Sequence, residues 1–405
     1  MEKLREREHD FGSKLRQDAT LQRLKDYIEW QRDYEFQASG RGLPMFSPIS
    51  INLDLTSACN FSCHFCVDSR LINAGKSLAL EEVKKTIHTL HSRGLLSVIL
   101  IGGGEPTLHR HFGEIVRYIK GKGLQVGIVT NGSRLERIEA FIQELKEKDW
   151  IRISLDAAGE EVFQALHAPR TRVTLRGILE KAKKLKKKQP LVSLGYSFVV
   201  VWEGVEVNGK RLRPNLDEMT RSVELAREFS FDYVSFKPCL VRWDESQRET
   251  LLKNVAKTKE EEIIDQIKTH LKEARHAAGD QVKILESSNL KAMLNRETDQ
   301  IKKQPARCHM QFFRTVVTPF GIFHCPAFRG VEVARLGMPD GYLSERKFRE
   351  TVKRAAESIR TFDAKEECKD VGCFYNHTNW WLEDFIHSKE GVQSLEKIEN
   401  DNFFF

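Results

Sequence analysis

Cys59, Cys63 and Cys66 share one short run with the spacing C-x3-C-x2-C. Three thiolates on one loop can hold three corners of an iron-sulfur cube and leave the fourth iron without a protein ligand, which makes that iron a place for chemistry. The competing reading is a structural zinc site, but zinc asks for four closed ligands and usually pairs one Cys-x-x-Cys with another. The chain holds 8 cysteines. They could form disulfides, yet the clustering of three and the absence of a secretory signal favour metal ligation. Further along, Gly102 to Leu108 reads Gly-Gly-Gly-Glu-Pro-Thr-Leu. Glycines there let backbone approach a ligand closely, although such a run alone could be a tight turn. Four later cysteines, Cys308, Cys325, Cys368 and Cys373, make a second set. Two strands turning at Gly321 would bring Cys308 and Cys325 together. Four thiolates suit either one further four-iron cluster or a structural zinc.

The cysteine spacing, with the aromatic Phe65 just before the third cysteine, resembles the radical S-adenosylmethionine (SAM) superfamily over about residues 48 to 240. The resemblance implies a [4Fe-4S] cluster whose open iron chelates the amino and carboxylate groups of SAM. Electron transfer from the cluster then cleaves the sulfonium, and the 5'-deoxyadenosyl radical abstracts hydrogen from a substrate. On the same resemblance Gly103, Gly104 and Glu105 meet the methionine part of SAM, with the carboxylate accepting from its ammonium group. Thr130, Asn131 and Gly132, and then Ser154, Leu155 and Asp156, match segments that place polar groups near the SAM ribose. Arg170 resembles an arginine that meets the SAM carboxylate. Standing alone, such strand-end residues would be turn-formers and helix caps.

The late cysteines resemble the auxiliary-cluster domains called SPASM, or their shorter twitch form. Only four cysteines are present, which implies the shorter form with one auxiliary [4Fe-4S] cluster. The four residues between Cys368 and Cys373 depart from the usual Cys-x-x-Cys pair. Cys239 is left over at the end of a predicted strand. It reads as a small buried hydrophobe or, as in some radical SAM epimerases, as a hydrogen donor to a substrate radical.

These residues need a scaffold that delivers them to one rim. Apolar runs predict six strands, at Ile51 to Leu55, Ser97 to Ile101, Gln125 to Val129, Trp150 to Leu155, Leu191 to Val201 and Tyr233 to Phe236. Helical patterns lie between them at Leu80 to His91, Phe112 to Lys120, Leu135 to Glu147, Thr174 to Lys187 and Leu216 to Phe229. Repeated βαβ units imply a parallel sheet curled by right-handed crossovers into an α/β partial (β/α)6 TIM-type barrel. Every candidate then stands at the carboxyl end of a strand, where barrel enzymes gather their active-site loops. The expected order is an N-terminal helical extension over 1–48, the barrel over 49–240, a helical connection over 241–304 and a small auxiliary-cluster domain over 305–405. Trp202 to Asn215 contains an Asn-Gly turn and is expected to be a hairpin able to cover a site.

Composition sets the outer limits. With 405 residues, 40% hydrophobic and 30% charged, the chain is globular and carries a sizeable core. A net charge of +7 permits an anionic ligand without making nucleic acid a default partner. No recognised RNA-binding module is apparent. The charged N-terminus carries no signal peptide, and no apolar run reaches the roughly 18 residues of a membrane span, so a cytoplasmic protein is expected.

The expected activity is hydrogen abstraction from a small-molecule substrate, leading to oxidation, epimerisation or rearrangement. A reducing flavodoxin- or ferredoxin-type donor is implied as partner. One alternative is a maturase that crosslinks a precursor peptide, made less favoured by the few residues ahead of the first strand. The other is a non-catalytic iron-sulfur electron-transfer protein, against which the Gly103 to Glu105 loop stands.

Overall fold

A computed structural model describes residues 11–36, 42–242, 249–251 and 257–405. Of the expected N-terminal helical extension, residues 1–10 and 37–41 lie outside the described residues. The six expected strands form as β1 (Ser50–Leu53), β2 (Ser97–Leu100), β3 (Gln125–Thr130), β4 (Trp150–Ser154), β5 (Ser193–Val200) and β6 (Tyr233–Pro238). Four more join them: β7 (Lys283–Glu286), β8 (Arg314–Thr318), β9 (Gly321–Phe323) and β10 (Arg335–Gly337). The sheet order is β7-β6-β5-β4-β3-β2-β1-β8-β9-β10. Pairing is parallel from β7 to β8 and antiparallel through β9 and β10.

The count of six therefore falls short of the sheet. Strand β7 is a short edge strand with no fully buried position, so it leaves no apolar run to read. Strand β8 pairs in register with β1, Ser50 opposite Arg314, and so the expected auxiliary hairpin begins inside the main sheet.

Helices cover one face of the sheet. Leu80–His91 forms because Val83, Ile87 and Leu90 recur on one side, all buried. Its N-terminus is tied by Glu82 Oε2, which accepts from the Ala79 N–H at 3.1 Å. The lysine-rich helix Leu175–Lys188 buries Leu179, Ala182 and Leu185, while Lys181, Lys184 and Lys188 pair with Glu136 and Glu139 at the surface. The helix expected over Leu135 to Glu147 is broken into Leu135–Glu139 and a 3-10 turn at Ile142–Glu144. The chain leaves helical geometry at Phe141, whose buried ring packs on Phe112 at 5.6 Å.

The N-terminal helix Asp18–Phe36 packs on the C-terminal half of the chain. Tyr27 meets Phe312 and Phe313, and Arg32 donates to the carbonyls of Phe385 and Ile386 at the end of helix Asn376–His387. The segment after β5 forms the expected hairpin, Glu206–Val207 against Lys210–Arg211. Asn208 and Gly209 at its tip have φ of 50° and 72°, the left-handed pair that a type I′ turn requires. Among the described residues no helix is long and apolar enough to cross a membrane.

Candidate active site

The loop after β1 carries the first three cysteines and is laced to its neighbours by backbone. Ser57 N–H donates to Lys76 O, and Cys59 N–H to Asn73 Oδ1. Ser62 and His64 N–H donate to the carbonyls of His167 and Leu166, beside a bridge from Phe61 to Pro169. The thiols are held close enough to repel one another as anions. Burial first, then Cys66 and Cys59, push the Cys63 thiol well above its ordinary range. Burial and then Asp68 push Cys66 up to about 12. Three half-buried thiols stable as thiolates only in the presence of shared positive charge fit a cluster. Among the described residues no three or more His, Cys, Asp and Glu converge as ligands of a single ion; a cube instead spreads its thiolates over separate corners.

The glycine run presses directly on that loop. A Cβ on Gly104 would stand 2.5 Å from both Ala58 O and Thr56 O, so only glycine fits. Glu105 then turns inward and is 3% exposed. Its Oε1 accepts from Thr107 N–H, the Thr107 hydroxyl and the Thr130 hydroxyl, and its Oε2 from Asn131 N–H at 2.7 Å. The expected reach toward an ammonium group is therefore joined by a second role, fastening the end of β3 to the glycine run. The Asn131 amide donates to Asn60 Oδ1 at 2.9 Å, on the cysteine loop.

The end of β4 brings the expected Asp156 to His167, a residue that sequence reasoning missed. Asp156, at φ 52°, accepts from Val199 N–H at 2.7 Å and sets Oδ2 3.3 Å from His167 Nε2. His167 Nε2 also bonds Leu155 O, and its Nδ1 lies 3.1 Å from Cys63 Sγ. One buried imidazole thus joins the strand-end carboxylate to a cluster-loop thiol, with the Phe65 ring edge-on to it at 5.7 Å. Ser154 ends β4 half-buried. Arg170 Nε donates to Ser62 Oγ at 2.8 Å, which sets this exposed side chain beside the cysteine loop. The hairpin tip closes the rim, with Val207 and Asn208 lining one narrow depression together with Phe65, Cys66 and Leu240.

The family model of the radical SAM superfamily matches residues 53–206, the stretch that holds every contact just described except those of Val207, Asn208 and Leu240. This chain carries a radical SAM domain. The S-adenosylmethionine-dependent nucleotide dehydratase of Selenomonas ruminantium is 35% identical over 119 residues, 29% of this chain and 43% of that protein. Mycofactocin maturase MftC of Mycolicibacterium smegmatis is 35% identical over 126 residues, 31% of each chain. The chain thus spans less than half the length of these two relatives. The crystal structure of Streptococcus suis SuiB superposes with a TM-score of 0.57 at 13% identity, covering 95% of this chain and 89% of that one. The shared fold is the partial TIM barrel.

Beyond the radical SAM domain the structure gathers the later cysteines. Burial, then Cys308 and Cys325, push the Cys373 thiol well up, so these three stand close. Cys308, Cys325 and Cys368 pack on one small core of Phe328, Ala334, Phe362 and Val371, separate from the barrel core. Cys308 also borders the main core, where Cys373 packs, although the two lie 65 positions apart in sequence. No disulfide joins any of the eight cysteines. Cys239 stays outside both groups. It is 2% exposed in the main core, and burial followed by Asp156 pushes its thiol up to about 12.

Proposed function

We propose that this chain is a radical SAM enzyme that oxidises a small-molecule substrate, with the cluster that SAM binds held by Cys59, Cys63 and Cys66. The observation that carries the reading is the placing of those three thiols on one short loop against which the Gly104 backbone is pressed. When bound, the cluster supplies the electron that cleaves SAM, and the resulting 5'-deoxyadenosyl radical takes a hydrogen atom from the substrate. The chain's own part is positional. Gly103 and Gly104 keep the rim open beside the cysteine loop, and Glu105 holds β3 in place while Oε2 retains capacity for an ammonium donor. Ser154, Asn131 and Arg170 supply polar groups around the same rim.

Cys308, Cys325, Cys368 and Cys373 are the thiols that would hold an auxiliary [4Fe-4S] cluster, and such a cluster can accept the electron that a substrate radical loses. The burial of Cys239 supports this route over epimerisation, since a hydrogen donor has to meet the substrate. A peptide-modifying reading is favoured by the likeness to MftC. The two are separated by offering the reduced, reconstituted protein a small-metabolite fraction and a peptide fraction with SAM, and measuring 5'-deoxyadenosine by mass spectrometry. Stimulation by the small-metabolite fraction, with a product lighter by two hydrogens and free of solvent deuterium, is expected. Stimulation by peptides alone would replace the reading, and deuterium uptake would mark epimerisation.

A further inference from the structure

The barrel interior carries polar side chains. Along β4 the burial alternates, with Ile151 and Ile153 buried and Trp150, Arg152 and Ser154 partly accessible. Ile153 faces helix Leu175–Lys188, since its Cγ2 and that of Ile178 both crowd the Cβ position of Gly132. The accessible set therefore points the other way, into the barrel. The same holds on β6, where Tyr233 and Lys237 are the partly accessible positions. The inward face thus lines a polar chamber that solvent reaches only in part, since Ser197 and Ser235 on it are buried.

The chamber is layered by register. Trp150 lies over Gly127, whose Cβ would stand 2.3 Å from the indole, and Tyr233 lies over Gly195, whose Cβ would stand 2.1 Å from the phenol ring. These two glycines admit an aromatic floor, and Trp150 is sealed below by Phe405 at 5.5 Å. One level up, Ser154 pairs with Ser197 and Ser197 with Ser235. Three adjacent strands thus present short hydroxyl side chains at one height.

Two cations flank these serines, Lys237 one step above them and Arg152 one step below, in register with Gly195 and Tyr233. Lys237 Nζ donates to Ser197 Oγ at 3.1 Å. The Arg152 guanidinium lies over the Trp150 ring at 5.4 Å, and its buried Nε has no hydrogen-bond partner. Each cation disfavours the other, and burial together with Arg152 lowers Lys237 to about 7. The facing carboxylate, Asp156, is already engaged by Val199 N–H and His167. Two cations on β4 and β6, with β5 between them, and one shared and committed carboxylate lack an anion.

We propose that this chamber binds an anionic oxygen group of the substrate, a carboxylate or a phosphate, held between Arg152 and Lys237 beside the row of Ser154, Ser197 and Ser235. The proposal rests on the reading of the chain as a radical SAM enzyme and adds the chemical class of its substrate. Binding alone tests it, so its outcome is independent of SAM cleavage. The full chain, reconstituted without oxygen, left unreduced and saturated with SAM, is mixed with inorganic phosphate or with carbon-13 acetate, and the NMR line width of each anion is followed.

Broadening of at least one anion is expected, weakened about tenfold in Arg152→Gln and in Lys237→Met, with near-UV circular dichroism confirming the fold. Lys184→Gln, on an exposed helix face, should match the wild type, and the charge-preserving Lys237→Arg should retain most of the binding if Lys237→Met does not fold. Stronger broadening of phosphate than of acetate assigns a phosphoryl group, and the reverse a carboxylate. Broadening equal in wild type and both charge-removing variants overturns the proposal. So does binding seen only without SAM, which would make this the seat of SAM's own carboxylate.

Discussion

Arg329 Nη1 lies 2.8 Å from the Asp68 carboxylate, joining a residue just past Cys325 to one just past Cys66. The same guanidinium sets Nε 2.6 Å from Asp54 Oδ2 at the end of β1, and Asp54 accepts from Gly103 N–H at 3.2 Å. One buried cation therefore ties the auxiliary loop, the cluster loop and the glycine run together. Arg329→Met leaves two buried carboxylates without their cation. The expected loss is roughly 3–5 kcal/mol of stability, read by chemical denaturation. A loss below about 1 kcal/mol, the range of exposed pairs, would show that water takes over the guanidinium's place.

Glu105→Ala removes the acceptor for Thr107, Thr130 and Asn131. Hydrogen bonds to a charged group contribute roughly 1.5 to 3 kcal/mol, so both a lower denaturation midpoint and weaker SAM binding are expected, with iron content retained. Weakened SAM binding at unchanged stability would mean that the strut is dispensable and the ligand contact is the whole role.

Replacing any one of Cys308, Cys325, Cys368 and Cys373 by Ala should reduce about eight irons to about four, as expected for two four-iron clusters, while 5'-deoxyadenosine still forms without product. Cys239→Ala should leave both iron sets and the product in place. Loss of product with hydrogen abstraction intact would make Cys239 the donor after all.

Lys237 carries a pH dependence. Burial, with Arg152, lowers it from its ordinary 10.5 to about 7, against the pull of Asp156. The ammonium form is present below about 7 and is lost as pH rises through that value, so acetate should bind best near pH 6 and weaken toward pH 9. Arginine stays charged throughout, so Lys237→Arg should flatten the profile. A flat profile in the wild type would remove Lys237 from the anion site.

Much of the rim was legible because its signals are local. Cys59, Cys63 and Cys66, the glycine run and the polar strand ends each sit within a few residues of a readable apolar strand. What stayed hidden depends on partners distant in sequence. His167 meets Cys63 across 104 positions, and no spacing rule links them. Arg152 and Lys237 read simply as polar alternation within strands, since periodicity says that a side chain faces away from the helices but not what it meets in the interior. Strand β7 lacks a buried position. The inward turn of Glu105 is set by donors on Thr130 and Asn131, supplied by the next strand.

The most direct measurement is 5'-deoxyadenosine formation from SAM by the anaerobically reconstituted, dithionite-reduced protein, set beside a variant with Cys59, Cys63 and Cys66 all replaced by Ala. Formation by the wild type and none by the triple variant is the expected result. Equal formation by both, or none by a wild type carrying its full iron complement, would contradict the assignment of those three thiols to the cluster that cleaves SAM.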